Sequence, residues 1–199
     1  MFQTMINGSM AVLTRPSVAT FEEHEQNNLG WATIYVVIGA VIVGILEVIT
    51  AVIQGAVGTP GVNQPSPIGN IIVSVLGALI GFFIFLGIVY LLGRAFGGTG
   101  KFGELAFDIS LYWAPLAVLQ ALIGVIAIGP LAILALLVLL AVFGYNIFLT
   151  YLGIQSGMDL PSQKALYVVL ILAGIVLLLV ACLVALVGVA IFGAASEMQ

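Results

Sequence analysis

The stretch WATIYVVIGAVIVGILEVITAVIQ, residues 31–54, carries a single charged side chain, Glu47. About 20 apolar residues suffice to cross the roughly 30 Å of hydrocarbon in a bilayer, so this stretch predicts a transmembrane helix. Four more stretches of the same kind follow, at residues 68–92, 109–128, 131–154 and 165–192. The sequence therefore predicts an all-α integral membrane protein, a bundle of five transmembrane helices.

The composition excludes several classes of protein. Apolar residues make up 63% of the chain and charged residues 6%, against roughly 25% charged residues in soluble domains. The acidic net charge of −4 is opposite to the basic stripe that nucleic-acid binding requires. His24, the one histidine, lies outside every predicted span, so no histidine-ligated cofactor is expected within the bundle. We expect no cofactor, no metal site, no catalytic residue and no nucleic-acid partner.

All basic residues fall on one side of the five predicted spans. Arg15 precedes the first span, Arg94 and Lys101 lie between the second and third, and Lys164 lies between the fourth and fifth. Short cytoplasmic loops are enriched in lysine and arginine. The N-terminus is therefore predicted to lie inside and the C-terminus outside.

Residues 1–30 are predicted to form a cytoplasmic amphipathic segment at the membrane interface. Phe2, Ile6, Met10 and Leu13 recur at helical spacing, which predicts a helix whose apolar face lies in the inner interface. Thr20 with Glu23 three residues later matches a capping box, so a second short helix is predicted to begin at Thr20 and to end near residues 27–30.

A small set of polar side chains interrupts the apolar spans. Thr50 and Gln54 follow Glu47 on one helical face, and other spans contribute Gln120 and Asn146. A carboxylate inside a bilayer is costly, so it is protonated, paired or in contact with water, and such residues often mark functional sites. Two interpretations stay open: a protonated, hydrogen-bonded structural Glu47, or a proton or substrate pathway lined by these polar residues.

Glycine and proline mark the predicted turns. Gly97, Gly98, Gly100 and Lys101 fall in a stretch that lacks the first glycine and the final serine or threonine of a phosphate-binding loop, so it predicts a cytoplasmic turn. Gly129-Pro130 predicts a tight antiparallel hairpin of the third and fourth spans. Pro115 predicts a kink in the third span. Residues 55–67 contain glycine and proline but no charge, which predicts an ordered outer loop.

Several motifs in this order resemble the bacterial branch of the Yip family, membrane proteins named for interaction with Ypt/Rab GTPases. The motifs are Leu13-Thr14-Arg15-Pro16, Thr20-Phe21-Glu22-Glu23, Gly97-Gly98-Thr99-Gly100-Lys101-Phe102, Tyr112 with Pro115, and the stretch from Gly153 to Lys164. The resemblance spans nearly the whole chain. It implies a five-helix bundle over residues 31–199 with a cytoplasmic N-terminus, a bacterial inner-membrane location and no enzymatic activity.

The resemblance implies little about the partner. Eukaryotic members of the family look like trafficking factors that bind prenylated GTPases through a long cytoplasmic N-terminal region; here only residues 1–30 precede the first predicted span, so GTPase binding is not expected. The leading hypothesis is a non-catalytic membrane scaffold or interaction protein, an accessory subunit of a larger membrane assembly such as an energy-converting complex. Its partners are then the lipid bilayer and other membrane subunits or a second copy. The alternative is a small transporter or channel that uses Glu47.

Overall fold

The computed structural model describes residues 1–56, 66–127 and 129–196; for residues 56, 179–180 and 183–196 it describes the backbone alone. Within those ranges the chain forms seven helices and no strand: α1 Phe2–Thr14, α2 Val18–His24, α3 Leu29–Ala56, α4 Pro67–Ala95, α5 Phe102–Ile126, α6 Leu131–Gly157 and α7 Ser162–Ser196. The predicted all-α class is confirmed.

Four of these helices, α3 to α6, are long and apolar enough to cross a membrane. α3, α4 and α6 extend beyond their predicted spans because backbone hydrogen bonding continues past the apolar residues. α5 begins before its predicted span and ends at Ile126, before the predicted residue 128. Its start lies well before residue 109 because the Glu104 carboxylate accepts a 2.8 Å hydrogen bond from the Lys101 N–H and caps the first turn. In α7 the described side chains form an apolar stretch over Ser162–Leu178, so a full fifth crossing stays a prediction.

The five long helices pack as a ring. α3 lies between α4 and α5, α6 packs on the other side of α5, and α7 contacts both α6 and α4. Gly129, with a φ of 54°, and Pro130, the N-cap residue of α6, form the turn between α5 and α6. The predicted hairpin is confirmed, whereas most of the predicted outer loop at residues 55–67 lies outside the described residues.

The hydrophobic core occupies one end of the ring. This is the end at which Arg94, Lys101 and Lys164 lie, and we call it the basic end. The first part of α5 is buried on nearly every side there, and it packs against the end of α6. In the opposite half, most apolar side chains of α4 and α6 point outward, with Ile133 71% exposed. Lipid-facing helices have this distribution.

α1 is a helix, as predicted, but it packs on the bundle. Met5, Gly8, Ser9 and Val12 form its buried face. The Ser9 hydroxyl lies 2.9 Å from the Tyr35 hydroxyl, and the Tyr145 hydroxyl donates a 2.8 Å hydrogen bond to the Leu13 carbonyl. Phe2 and Met10, from the predicted apolar face, are exposed, whereas Ile6 and Leu13 are partly buried. Part of that face is therefore available for the predicted contact with the membrane interface.

The predicted start of the second short helix is wrong. α2 begins at Val18, and its N-cap is Ser17, whose hydroxyl oxygen accepts a 3.1 Å hydrogen bond from the Thr20 N–H. The Thr20 hydroxyl instead donates to the Arg15 carbonyl at 2.8 Å. Ser17 is the first residue after Pro16, and its extended backbone suits an N-cap position. α2 ends at His24, before the predicted 27–30.

Candidate functional site

The structure brings four of the five predicted intramembrane polar residues together. Glu47, Thr50 and Gln54 of α3 and Gln120 of α5 line one cleft between the two helices, with a volume of about 420 Å³. Its remaining lining residues are mostly small: Val43, Ala51, Ala117, Ala121 and Gly124. We call this site the polar cleft.

Close packing on the basic side of the cleft fixes its position. A Cβ added at Gly39 of α3 would lie only 3.0 Å from the Cβ of Ala114, so the two helices touch at that level. Beyond that level, away from the basic end, α3 and α5 are separated by the polar cleft. Pro115 of α5 lies at the boundary between the tight and the open part and is contained within the continuous helix. The kink predicted at Pro115 stays a prediction.

The polar cleft is open to the surface of the bundle. The Glu47 side chain is exposed, whereas Thr50, Gln54 and Gln120 are partly buried. The ion pair found in the described part of the chain joins Lys101 and Glu104 at 2.9 Å, at the basic end. Glu47 therefore has no basic neighbour among the described residues.

Asn146, the fifth predicted residue, lies elsewhere. It lines an apolar crevice of about 280 Å³ between α4, α6 and α7. Its backbone carbonyl accepts a 2.8 Å hydrogen bond from the Thr150 hydroxyl, which lies 3.0 Å from the hydroxyl of the fully buried Tyr112. The structure thus separates Asn146 from Glu47 and places it on the side of α6 that faces α4 and α7.

The predicted glycine turn has a packing role at the basic end. Gly97 has a φ of 89°, which favours glycine. The N–H of Thr99 donates to the Met158 carbonyl at 3.0 Å, and the Thr99 hydroxyl donates to the Asp159 carboxylate at 2.9 Å. A Cβ on Gly98 would lie 2.8 Å from the Met158 carbonyl oxygen. Gly98 and Gly100 therefore let two backbone turns lie in direct contact, while Lys101 is exposed.

The core also contains a buried carboxylate that the sequence pattern did not indicate. Asp108 of α5 is fully buried, and neither of its carboxylate oxygens has a hydrogen-bond partner of good geometry. Ser156 of α6 faces it, but its hydroxyl also lacks such a partner. Buried polar groups are nearly always hydrogen-bonded, so this pair is an exception in the core. Its only signal in the sequence is an aspartate at the edge of an apolar stretch.

Glu25 joins further carboxylates at the basic end, in the segment between α2 and α3. Burial, followed by the negative charges of Glu104, Asp159 and Glu22, raises the pKa of Glu25 to about 7, and Lys101 opposes this shift. Asp108 lies close enough to be affected by the charge on Glu25. The N-terminal segment is thus held against the bundle beside several acidic groups.

The raised pKa of Glu25 predicts that stability falls as the pH rises. Below the ordinary pKa of 4.5 its contribution is fully present, and it is lost between pH 4.5 and about 7. A shift of this size corresponds to about 3 kcal/mol for a buried group, and partial exposure reduces it to the order of 1 kcal/mol. Melting temperatures measured across this pH range should fall with rising pH for the native protein, and they should fall less for Glu25→Gln. The exposed Glu23→Gln is the control, and an equal slope in all three proteins would contradict the prediction.

The long apolar helices define the class: this is a multi-pass integral membrane protein. The Yip1 domain family matches residues 10–194, so the chain belongs to that family. The match runs from within α1 to the end part of α7, and it therefore includes most of the N-terminal segment and the ring. The family is one of non-enzymatic membrane proteins. No curated protein and no solved structure matches the chain.

Proposed function

We propose that this protein is a non-catalytic membrane interaction protein that works as an accessory subunit of a larger membrane assembly. The observation that carries the proposal is the position of the polar cleft on the outer surface of the ring, with Glu47 exposed. Polar and ionisable side chains inside the hydrocarbon region of a membrane cost free energy when they face lipid. A protein neighbour that covers the cleft removes that cost.

The membrane arrangement of the proposal follows from the basic residues. In the proposed arrangement of five spans, the N-terminal segment and the basic end lie in the cytoplasm and the C-terminus lies outside. The membrane is a bacterial cytoplasmic membrane, as the family resemblance implies. The polar cleft then opens in the outer half of the membrane. The packed core lies at the cytoplasmic side, with α1 at the inner interface.

A small transporter or channel is the second candidate, favoured by the convergence of Glu47, Thr50, Gln54 and Gln120 in one cleft. A transport pathway needs to continue to the other side of the membrane. Toward the basic end, the helices contact each other closely at Gly39 and Ala114, and Tyr112 is fully buried. These contacts favour the interaction protein.

The proposal predicts that the protein co-purifies with other membrane chains. After extraction in a mild detergent, a reproducible set of chains should migrate with it, and a harsh detergent should separate them, because membrane helix contacts depend on close packing. Photo-crosslinking from Leu134, which is 58% exposed on α6, should capture one of the same chains. A monodisperse monomer in mild detergent, with lipid adducts alone from Leu134, would favour the transporter.

A further inference from the structure

We propose that the polar cleft receives a lysine or arginine side chain from a transmembrane helix of a different membrane protein, and that Glu47 is its ion-pair partner. This inference rests on the proposed function and adds the place and the chemistry of the contact. It follows from the depth of Glu47, from the hydrogen-bonding groups around it and from the distribution of basic residues in the chain.

Glu47 lies well inside the helix that carries it. α3 ends at Ala56, which places Glu47 about 13 Å below that end at the rise of an α-helix. An ionised carboxylate at such a depth requires a compensating charge or water. No lysine, arginine or histidine occurs in any of the predicted spans, so any basic partner of Glu47 has to come from outside this chain.

The other polar groups of the cleft suit a cation. The Thr50 hydroxyl donates its hydrogen to the Leu46 carbonyl at 2.8 Å, so its oxygen is left as an acceptor. Gln54 and Gln120 line the same cleft, and each side-chain amide includes an oxygen that can accept a hydrogen bond. A lysine ammonium carries three donors and an arginine guanidinium five, and neither has an acceptor. The cleft therefore presents one carboxylate and three neutral acceptors to an incoming basic group.

The lining of the cleft leaves space for an incoming side chain. Ala51, Ala117 and Ala121 are small, and a Cβ placed on Gly124 would meet no atom within 4 Å. Small residues on a membrane helix also allow the backbone of a neighbouring helix to approach closely. A partner helix can thus lie along α3 and α5 while its basic side chain enters between them.

A second copy of the chain does not provide the cation. Its four basic residues are Arg15, Arg94, Lys101 and Lys164, and all belong to the basic side of the spans. In a symmetric dimer through the cleft, Glu47 would face another Glu47, and like charges repel. The partner is therefore a different protein with a basic residue in the outer half of a transmembrane helix.

Photo-crosslinking from Ala121 in native membranes tests this assignment. The native protein should capture one membrane protein that carries lysine or arginine within a transmembrane helix. Because the ion pair is removed, the yield should fall by about tenfold in Glu47→Gln, and it should fall further in Glu47→Lys, where like charges meet. Ile45→Gln, at a 45% exposed position on the same helix but outside the cleft, is the matched control and should keep the native yield. Changing the partner's basic residue to glutamate should restore capture by Glu47→Lys.

Three results would overturn the proposal: equal yields in the native protein and both Glu47 variants, capture of a second copy, or a captured chain without a basic residue in its spans. Melting curves of each variant separate loss of contact from loss of folding, and Glu47→Gln preserves the shape of the side chain. If Leu134 still captures a partner when Ala121 does not, the cleft assignment fails and the accessory-subunit proposal stands. If neither position captures a protein, both fail.

Discussion

Replacing Gly100 with alanine should destabilise the fold by about 3 kcal/mol or more, because an added methyl group has no space there. A Cβ at this position would lie 2.7 Å from the Cα of Met158 and would also overlap the Gly157 carbonyl. The obstacle is backbone on both sides, so a side-chain rotation cannot relieve it. The melting temperature in detergent should fall by several degrees, on the order of 2–4 °C for each kcal/mol in a chain of this size.

Gly81→Ala is the matched control for this prediction. Gly81 lies within α4, and a Cβ there would meet nothing within 4 Å. Alanine in a helix interior is favoured over glycine by about 0.5–1 kcal/mol, so this variant should melt at the native temperature or slightly above it. Equal melting temperatures for Gly100→Ala and the native protein would mean that the two turns at the basic end are not in contact.

The long helices α3 to α6 were predictable because each depends on a local property of the sequence. Long apolar stretches gave α3 to α6, and Gly129-Pro130 gave the hairpin between α5 and α6. The candidate site was predictable in part for a similar reason. Thr50 and Gln54 share a helical face with Glu47, and this does not depend on how the other helices pack. Helical periodicity was sufficient for that half of the cleft.

The other half of the site depends on which helices are neighbours. Gln120 and Asn146 look alike in the sequence, as single amides in apolar spans. Gln120 joins Glu47 because α5 packs directly on α3, and Asn146 does not because α6 lies on the other side of α5.

The burial of Asp108 was not predicted for a related reason. The hydropathy pattern begins the third span at residue 109, whereas α5 begins at Phe102 and its first part is buried in a packed core against α1 and α6.

α1 has two faces, and the residues of each recur at helical spacing. The more hydrophobic face consists of Phe2, Ile6, Met10 and Leu13, so hydropathy predicted that this face lies in the membrane interface. Met5, Gly8, Ser9 and Val12 also recur at helical spacing, and they are the residues that pack on the bundle. Gly8 allows this approach, since a Cβ there would lie 3.3 Å from side-chain carbons of Leu111 and His24. Hydropathy could not identify a docking face that includes glycine and serine.

The two faces of α1 predict opposite effects of the same substitution. Met5 and Val12 are completely buried, so aspartate at either position places an unpaired charge in the core, which costs several kcal/mol and is enough to release the helix. Met10 is 59% exposed, so Met10→Asp should leave α1 packed on the bundle. Hydrogen exchange of the amides of residues 5–14 measures the difference. Exchange should become fast in Met5→Asp and Val12→Asp and remain slow in Met10→Asp.

The same measurement separates docking on the bundle from contact with lipid. If α1 were held by the membrane interface alone, the face of Phe2, Ile6 and Met10 would be the one that matters, and Met10→Asp would release the helix while Val12→Asp would not. The hydrogen bonds between Ser9 and Tyr35 and from Tyr145 to the Leu13 carbonyl favour the first outcome, because they tie the C-terminal half of α1 to α3 and α6 without using the exposed face. In detergent without lipid, α1 should therefore stay protected. Its loss of protection on removal of lipid would show that the bundle contacts alone are too weak to hold it.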